Sequence, residues 1–126
     1  MDNTQPLQLA NEFDVITARV HARELARREG FGITDQARIS LAISSLAHKL
    51  GLGFSHRGQV EMQCQRRDQR VAMRICIIME DTPDLDPIIN NLERLRWMFM
   101  VDELEAERYG GVAKITAVKW SDSNHP

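Results

Sequence analysis

Arg70-Val71-Ala72-Met73-Arg74-Ile75-Cys76-Ile77-Ile78-Met79 is the stretch that decides the fold. Val71, Met73, Ile75, Ile77 and Met79 fall on alternate positions, the period of a strand with one apolar face. Ala72, Cys76 and Ile78 make its second face apolar too, so this strand belongs in the middle of a sheet. Upstream, Gln59–Gln65 alternates through Val60, Met62 and Cys64. The polar stretch Arg66-Arg67-Asp68-Gln69 between the two runs predicts a β-hairpin, with residue 64 opposite 71 and 76 opposite 59. On that pairing Cys64 and Cys76 point to opposite sides of the sheet and cannot form a disulfide.

Helical spacing replaces alternation toward the N-terminus. Val15, Ala18, Ala22, Leu25 and Ala26 predict a helix over 14–29, capped by Asn11 or Asp14 and stopped by Gly30. Arg19, Arg23 and Arg27 recur every four residues on its outer side, a candidate contact for an acidic partner. Thr34 is the expected N-cap of a second helix, with Asp35 in its first turn and Gly51 and Gly53 at its end. Its broad face of Ile39, Ala42, Ile43, Leu46, Ala47 and Leu50 predicts a central core element. Leu7–Ala10 reads as a short strand before both helices.

Beyond the hairpin, Pro87 suits a first helical turn, and Ile88, Leu92, Leu95 and Phe99 predict a helix to about Met100. Trp97, Met98, Phe99 and Met100 wrap more than one face of it. Part of that cluster must be core, and the rest, with Trp97 and Phe99 as candidates, offers a patch to a partner or a second copy. Val101–Arg108 reads either as more helix or as an acidic strand. Tyr109-Gly110-Gly111 is a turn, Val112–Trp120 alternates as a final strand, and 121–126 reads as a polar, disordered tail. The order predicts an α+β two-layer sandwich, one domain over 1–126 and ordered over 7–120, with helices on one face of a mostly antiparallel sheet.

Composition excludes several classes. The chain has 126 residues, 16 basic and 18 acidic, and a net charge of −2, which rules out a globally basic nucleic-acid binder. The charge is uneven: residues 1–78 carry 11 basic and 8 acidic groups, residues 79–126 carry 5 and 10. Arg66, Arg67, Arg70 and Arg74 surround the hairpin turn, but no aromatics interleave with them to stack bases. No apolar run approaches the roughly 18–20 residues of a membrane helix. Met1–Pro6 holds no basic residue before an apolar stretch, so a secretory leader is not expected. Two cysteines and no leader point to the reducing cytoplasm. The scattered histidines suggest no zinc site.

Several segments resemble the small serine kinases of the bacterial anti-sigma and switch-kinase group (the RsbT and RsbW type), within the GHKL ATPases of Bergerat fold. Asp14-Val15-Ile16-Thr17-Ala18-Arg19 is similar to the start of that family's first helix. Gly30–Ile39 with Ala42-Ile43-Ser44-Ser45-Leu46-Ala47 is similar to its second. Asp102–Glu107 with Gly110–Trp120 is similar to its terminal hairpin, which favours the strand at 101–108. The resemblance implies partners: a STAS-domain antagonist protein, a sigma factor or a PP2C-type phosphatase.

The family's chemistry does not carry over residue by residue. Its Glu-x-x-x-Asn, general base and Mg²⁺ ligand, falls on Ser45 and Lys49. A serine is no base near pH 7, and an ammonium repels a metal. Asp81 aligns with the adenine-reading aspartate of Asp-x-Gly-x-Gly, but Thr82-Pro83-Asp84-Leu85 follows, without glycine. The glycines stand at 30, 32, 51, 53, 58, 110 and 111, so none lies where the family has its phosphate-cradling lid. Lys49 in place of Mg²⁺, as a charge on a phosphate, is one reading; a solvated Lys49, or one paired with Asp81, is the other. The expectation is a regulator without nucleotide cofactor or metal, acting by protein contact. The alternative is an active Mg·ATP-dependent serine kinase with a rearranged site.

Overall fold

The computed structural model describes residues 6–121. Its elements are β1 (Leu7–Leu9), α1 (Glu12–Arg28), α2 (Ile33–Lys49), β2 (Gly58–Arg67), β3 (Arg70–Glu80), α3 (Asp86–Ile89), α4 (Leu92–Met98), β4 (Glu103–Tyr109) and β5 (Val112–Trp120), with a 3₁₀ turn over Pro83–Leu85. All five strands pair antiparallel in the order β1-β2-β3-β5-β4. The architecture is α+β, and β3 is central as its two apolar faces require. Residues 103–109 form a strand, which resolves the ambiguity there. No helix among the described residues is long and apolar enough to cross a membrane.

One face of the sheet builds the core. Val60, Met62 and Cys64 of β2, Val71, Met73, Ile75, Ile77 and Met79 of β3, and Ala113, Ile115 and Ala117 of β5 are all buried. They share one cluster with Ala18, Ala22, Leu25 and Ala26 of α1 and Ile39, Ala42, Ile43 and Leu46 of α2. Each large aliphatic side chain fully buried there contributes roughly 1.5–3 kcal/mol. The alanines let α1 approach closely. A buried charge group closes one end: Lys119 Nζ lies 3.8 Å from Asp35 Oδ1 at the start of α2 and 3.7 Å from Asp102 Oδ2. Arg38 adds a second cation 3.6 Å from Asp35. Asp35 thus has two cations beside it and Lys119 two carboxylates, so each largely buried charge is compensated.

The hairpin register differs from the expectation. Cys64 faces Met73 and Glu61 faces Cys76, because the loop is the two residues Asp68-Gln69 rather than four. Two-residue loops match the twist of paired strands, and Asp68 takes the left-handed conformation (φ 58°) that aspartate tolerates. The shift is by two, so Cys64 and Cys76 remain on opposite faces, buried and not joined by a disulfide. Ser121, expected in the polar tail, instead prolongs the β3–β5 pairing: it is buried, its N–H donates to Val71 O (2.7 Å), and its Oγ accepts from Val71 N (2.9 Å). Residues 122–126 lie outside the described residues, as do 1–5.

Helix ends account for the other differences. Asn11 caps α1 through a reciprocal box with Asp14, so both proposed caps act together. Helix α2 starts earlier than expected: Gly32, not Thr34, is its N-cap, and the Gln36 amide reaches back to Phe31 O (2.8 Å). The helix predicted over 87–100 is two pieces. Asn91 leaves helical geometry (φ −131°, ψ 29°) while its side chain donates to Pro87 O (2.7 Å), the local competition for which asparagine is known.

Helices α1, α2 and α4 end alike. Gly30, Gly51 and Met100 are left-handed, and the next residue's N–H bonds back five positions, Phe31 to Ala26 O, Leu52 to Ala47 O and Val101 to Arg96 O. Phe31, Leu52 and Val101 are then buried, completing three Schellman caps. Met100 is the misfit, since a side chain in this conformation costs about 1–2 kcal/mol. Met100→Gly relieves that strain against glycine's larger entropy loss. It is expected to stabilise the protein by about 0.5–1 kcal/mol, raising Tm by a few degrees in a thermal melt.

Candidate functional site

A cleft of about 450 Å³ opens between the C-terminal end of α2 and the segment running from the 3₁₀ turn through α4. Lys49 lines one side, Asp84, Ile88, Asn91, Arg94 and Met98 the other. This is the end of the molecule where Ser45, Lys49 and Asp81 were expected to converge. They do not. Lys49 is exposed on the wall, while Ser45, one helical turn earlier, is half-buried and absent from the lining.

Asp81 is committed elsewhere. Arg108 Nε lies 3.0 Å from Asp81 Oδ1, and Arg108 Nη2 lies 2.6 Å from Asp86 Oδ1 and donates to Thr82 O (3.2 Å). The Nε–H is not aimed along a hydrogen-bond axis to the buried Oδ1, which gains charge compensation without a hydrogen bond. The Asp86 hydrogen bond, helped by the charge of Asp81 and opposed by partial desolvation, holds the Arg108 guanidinium above its ordinary value. The suggested Lys49–Asp81 pair is therefore replaced by Arg108–Asp81. Asp84 has its own partner, His56 Nε2 at 3.1 Å. Among the described residues, Lys49 and Arg94 form no ion pair.

Sequence reasoning passed over Arg108. Its signal was the alternate row Leu104, Ala106, Arg108, which puts a cation at the end of a core-facing row, where it needs an anion. Arg94 had no signal. Its role depends on the break at Asn91.

The surface candidates separate. Arg19 Nε donates to Ser40 Oγ at 3.4 Å, tying α1 to α2, and Arg27 pairs with Glu24. Arg23 is exposed. Phe99 is buried in the core and is no contact residue; Trp97 is 71% exposed, with Arg96 over its ring at 5.1 Å. The hydrogen bond from Arg96 holds Glu93 below the usual carboxylate range. Arg67 and Arg70 lie over Trp120, and Arg66 donates to Glu29 O, so three of the hairpin arginines have structural partners.

One surface was missed. Phe13 (79% exposed), Ile16 (53%) and Val20 (62%) form an apolar stripe along α1. Ile16 also lines a groove with Val15, Ala47, Leu52 and the exposed Phe54. The helical spacing 13, 16, 20 was legible, but the stripe lies outside the core-facing set and was not singled out.

No protein-family model matches the chain. Serine/threonine-protein kinase RsbT of Bacillus subtilis (strain 168) is 36% identical to it over 63 residues. The match spans 50% of this chain and 47% of that protein.

Arg108 balances two carboxylates, Asp81 and Asp86. Arg108→Ala leaves Asp81 and Asp86 without their cation. It is expected to lower Tm by a few degrees, less in 1 M salt because the partly exposed pairs are screened. Adding Asp81→Asn should recover part of the loss, read from the same melts in a double-mutant cycle.

Proposed function

We propose that this protein is a regulator of the partner-switching type, built on a GHKL-like frame and acting by protein contact with a degenerate nucleotide site. The observation that carries the reading is the capture of Asp81 by Arg108, at the position where the family's adenine-reading aspartate aligns. Lys49, in place of the metal-binding amide, supports it: its three N–H donors and positive charge repel Mg²⁺. The similarity to RsbT over half of the chain supports the partner-switching reading.

The surface of α1 supports protein contact. Phe13, Ile16 and Val20 offer apolar area on the helix that also carries Arg19, Arg23 and Arg27. Solvated monomers rarely leave such stripes uncovered. The partners proposed are those of the resemblance: a STAS-domain antagonist protein, a sigma factor or a PP2C-type phosphatase, in the cytoplasm, where Cys64 and Cys76 stay reduced.

A second reading, an active serine kinase with a rearranged site, is favoured by the similarity to RsbT, a serine/threonine-protein kinase by name, and by the two cations lining the cleft. One pair of measurements separates them. A ligand at one hundred times its Kd stabilises a fold by about 2.7 kcal/mol. The regulator reading expects no thermal shift with Mg·ATP and no transfer of radiolabel to a STAS-domain protein encoded nearby. It also expects Phe13→Asp with Ile16→Asp to abolish capture of that protein while the melt stays cooperative. A Mg·ATP shift with labelling establishes the kinase instead.

A further inference from the structure

The sheet face turned away from the helices carries a second concavity. A trough of about 440 Å³ crosses that face at one end of the strands, lined among others by Gln8, Arg57, Gln59, Ile78, Glu80 and Val112. It shares no lining residue with the cleft. Strand register explains the grouping. Gln8 is opposite Gln59, Gln59 opposite Ile78 and Glu80 opposite Val112, while Arg57 precedes the pair Gly58–Met79 that stands beside Glu80. Gln59 and Ile78 are each one position from a core residue, Val60 and Ile77, and so point the other way. Opposite charges on neighbouring strands ordinarily pair. Arg57 and Glu80 do not: each lines the trough, and neither forms an ion pair among the described residues. The charges around them balance. Lys114, opposite Ile78, has Glu107 opposite it in turn, and Asp81, next along the chain from Glu80, is held by Arg108.

We propose that this trough binds a free α-amino acid with an apolar side chain. A neutral site with one cation and one anion set apart suits a zwitterion. The Arg57 guanidinium takes the α-carboxylate on its planar fork, and the Glu80 carboxylate accepts from the α-ammonium. The two amides serve both ends. Gln8 Nε2 donates to Gln59 Oε1 at 3.4 Å, which leaves Gln8 Oε1 to accept from the ammonium and Gln59 Nε2 to donate to the carboxylate. Ile78, half-buried, and Val112, 43% exposed, give the side chain an apolar floor. The volume is that of a small-molecule site. A simple carboxylate or a phosphate ester would meet Glu80 as a like charge, and a simple amine would meet Arg57 so. The inference rests on the charge pattern of this trough and not on the protein-contact reading, so either can fail alone.

NMR titration of the isotope-labelled full chain with L-leucine, L-methionine and L-phenylalanine tests it. At least one of the three is expected to give saturable amide shifts centred on residues 57–59, 78–80 and 111–112. For leucine, isocaproate lacks the ammonium and isoamylamine lacks the carboxylate. Each should bind at least about tenfold more weakly than the amino acid, as should glycine, which lacks the side chain. Arg57→Gln and Glu80→Gln should each weaken binding about tenfold or more, and both residues are exposed, so the melts of the variants should match the parent. Arg28→Gln, exposed at the end of α1, should leave binding unchanged. The proposal is overturned if none of the three amino acids saturates, if the shifts centre elsewhere, if an analogue lacking one charge or the side chain binds equally well, or if binding survives both substitutions.

Discussion

The inner row of β3 is the constraint from which the rest of this structure follows. Met73, Ile75 and Ile77 are at most 1% exposed and must be covered. α2 joins the same core with its broad apolar face, Ile39, Ile43 and Leu46, all equally buried. A strand so apolar on both faces cannot be an edge, so β2 and β5 must flank it. The buried Lys119–Asp35 contact then sets which end of α2 meets which end of β5. The C-terminal end of α2, with Lys49, is left at the opposite end of the sheet, where the chain leaves β3 for the segment that forms the cleft.

At that end, one cation decides the electrostatics. Arg108 ends the inner-facing row of β4, and the hairpin returning through Gly110-Gly111 holds it beside Asp81 and Asp86. An arginine holding two carboxylates is a different site from one that leaves an aspartate free to accept from a base. Neither Arg108 nor its partners need be special in sequence. Their effect comes from being assembled: Asp81 and Asp86 share one cation, while the cleft itself is lined by Asp84, Lys49 and Arg94. The chain from Pro83 to Met98 folds as short helical pieces, and the third helix cap falls to Met100.

Much of the architecture was legible because periodicity is local and strong. The five strands, the two long helices and the central place of β3 follow from spacings of two and of three to four residues. The errors share a cause, since each depended on energies of one or two hydrogen bonds. The β2–β3 loop closed on two residues instead of four, Gly32 displaced Thr34 as a cap, and Asn91 broke a helix that the apolar pattern carried straight through. Periodicity does not report such choices. Of the candidate site, Lys49 was placed on the cleft, Asp81 beside it but occupied, and Phe99 was misread because only packing shows which part of an all-round apolar cluster turns inward.

By itself, then, the sequence determined an α+β fold with β3 at the centre of its sheet, and which residue types stand along each element. Those are matters of pattern and of residue identity, and neither needs a third dimension. Tertiary structure alone decided the pairing of charges. Arg108 lies 27 residues from Asp81 in the chain and meets it only because β4 reaches β3 through β5. Lys49 and Arg94, 45 residues apart, face one cavity only because α4 folds back beneath the end of α2. Coulomb energy depends on distance in space, and distance along a chain does not fix it.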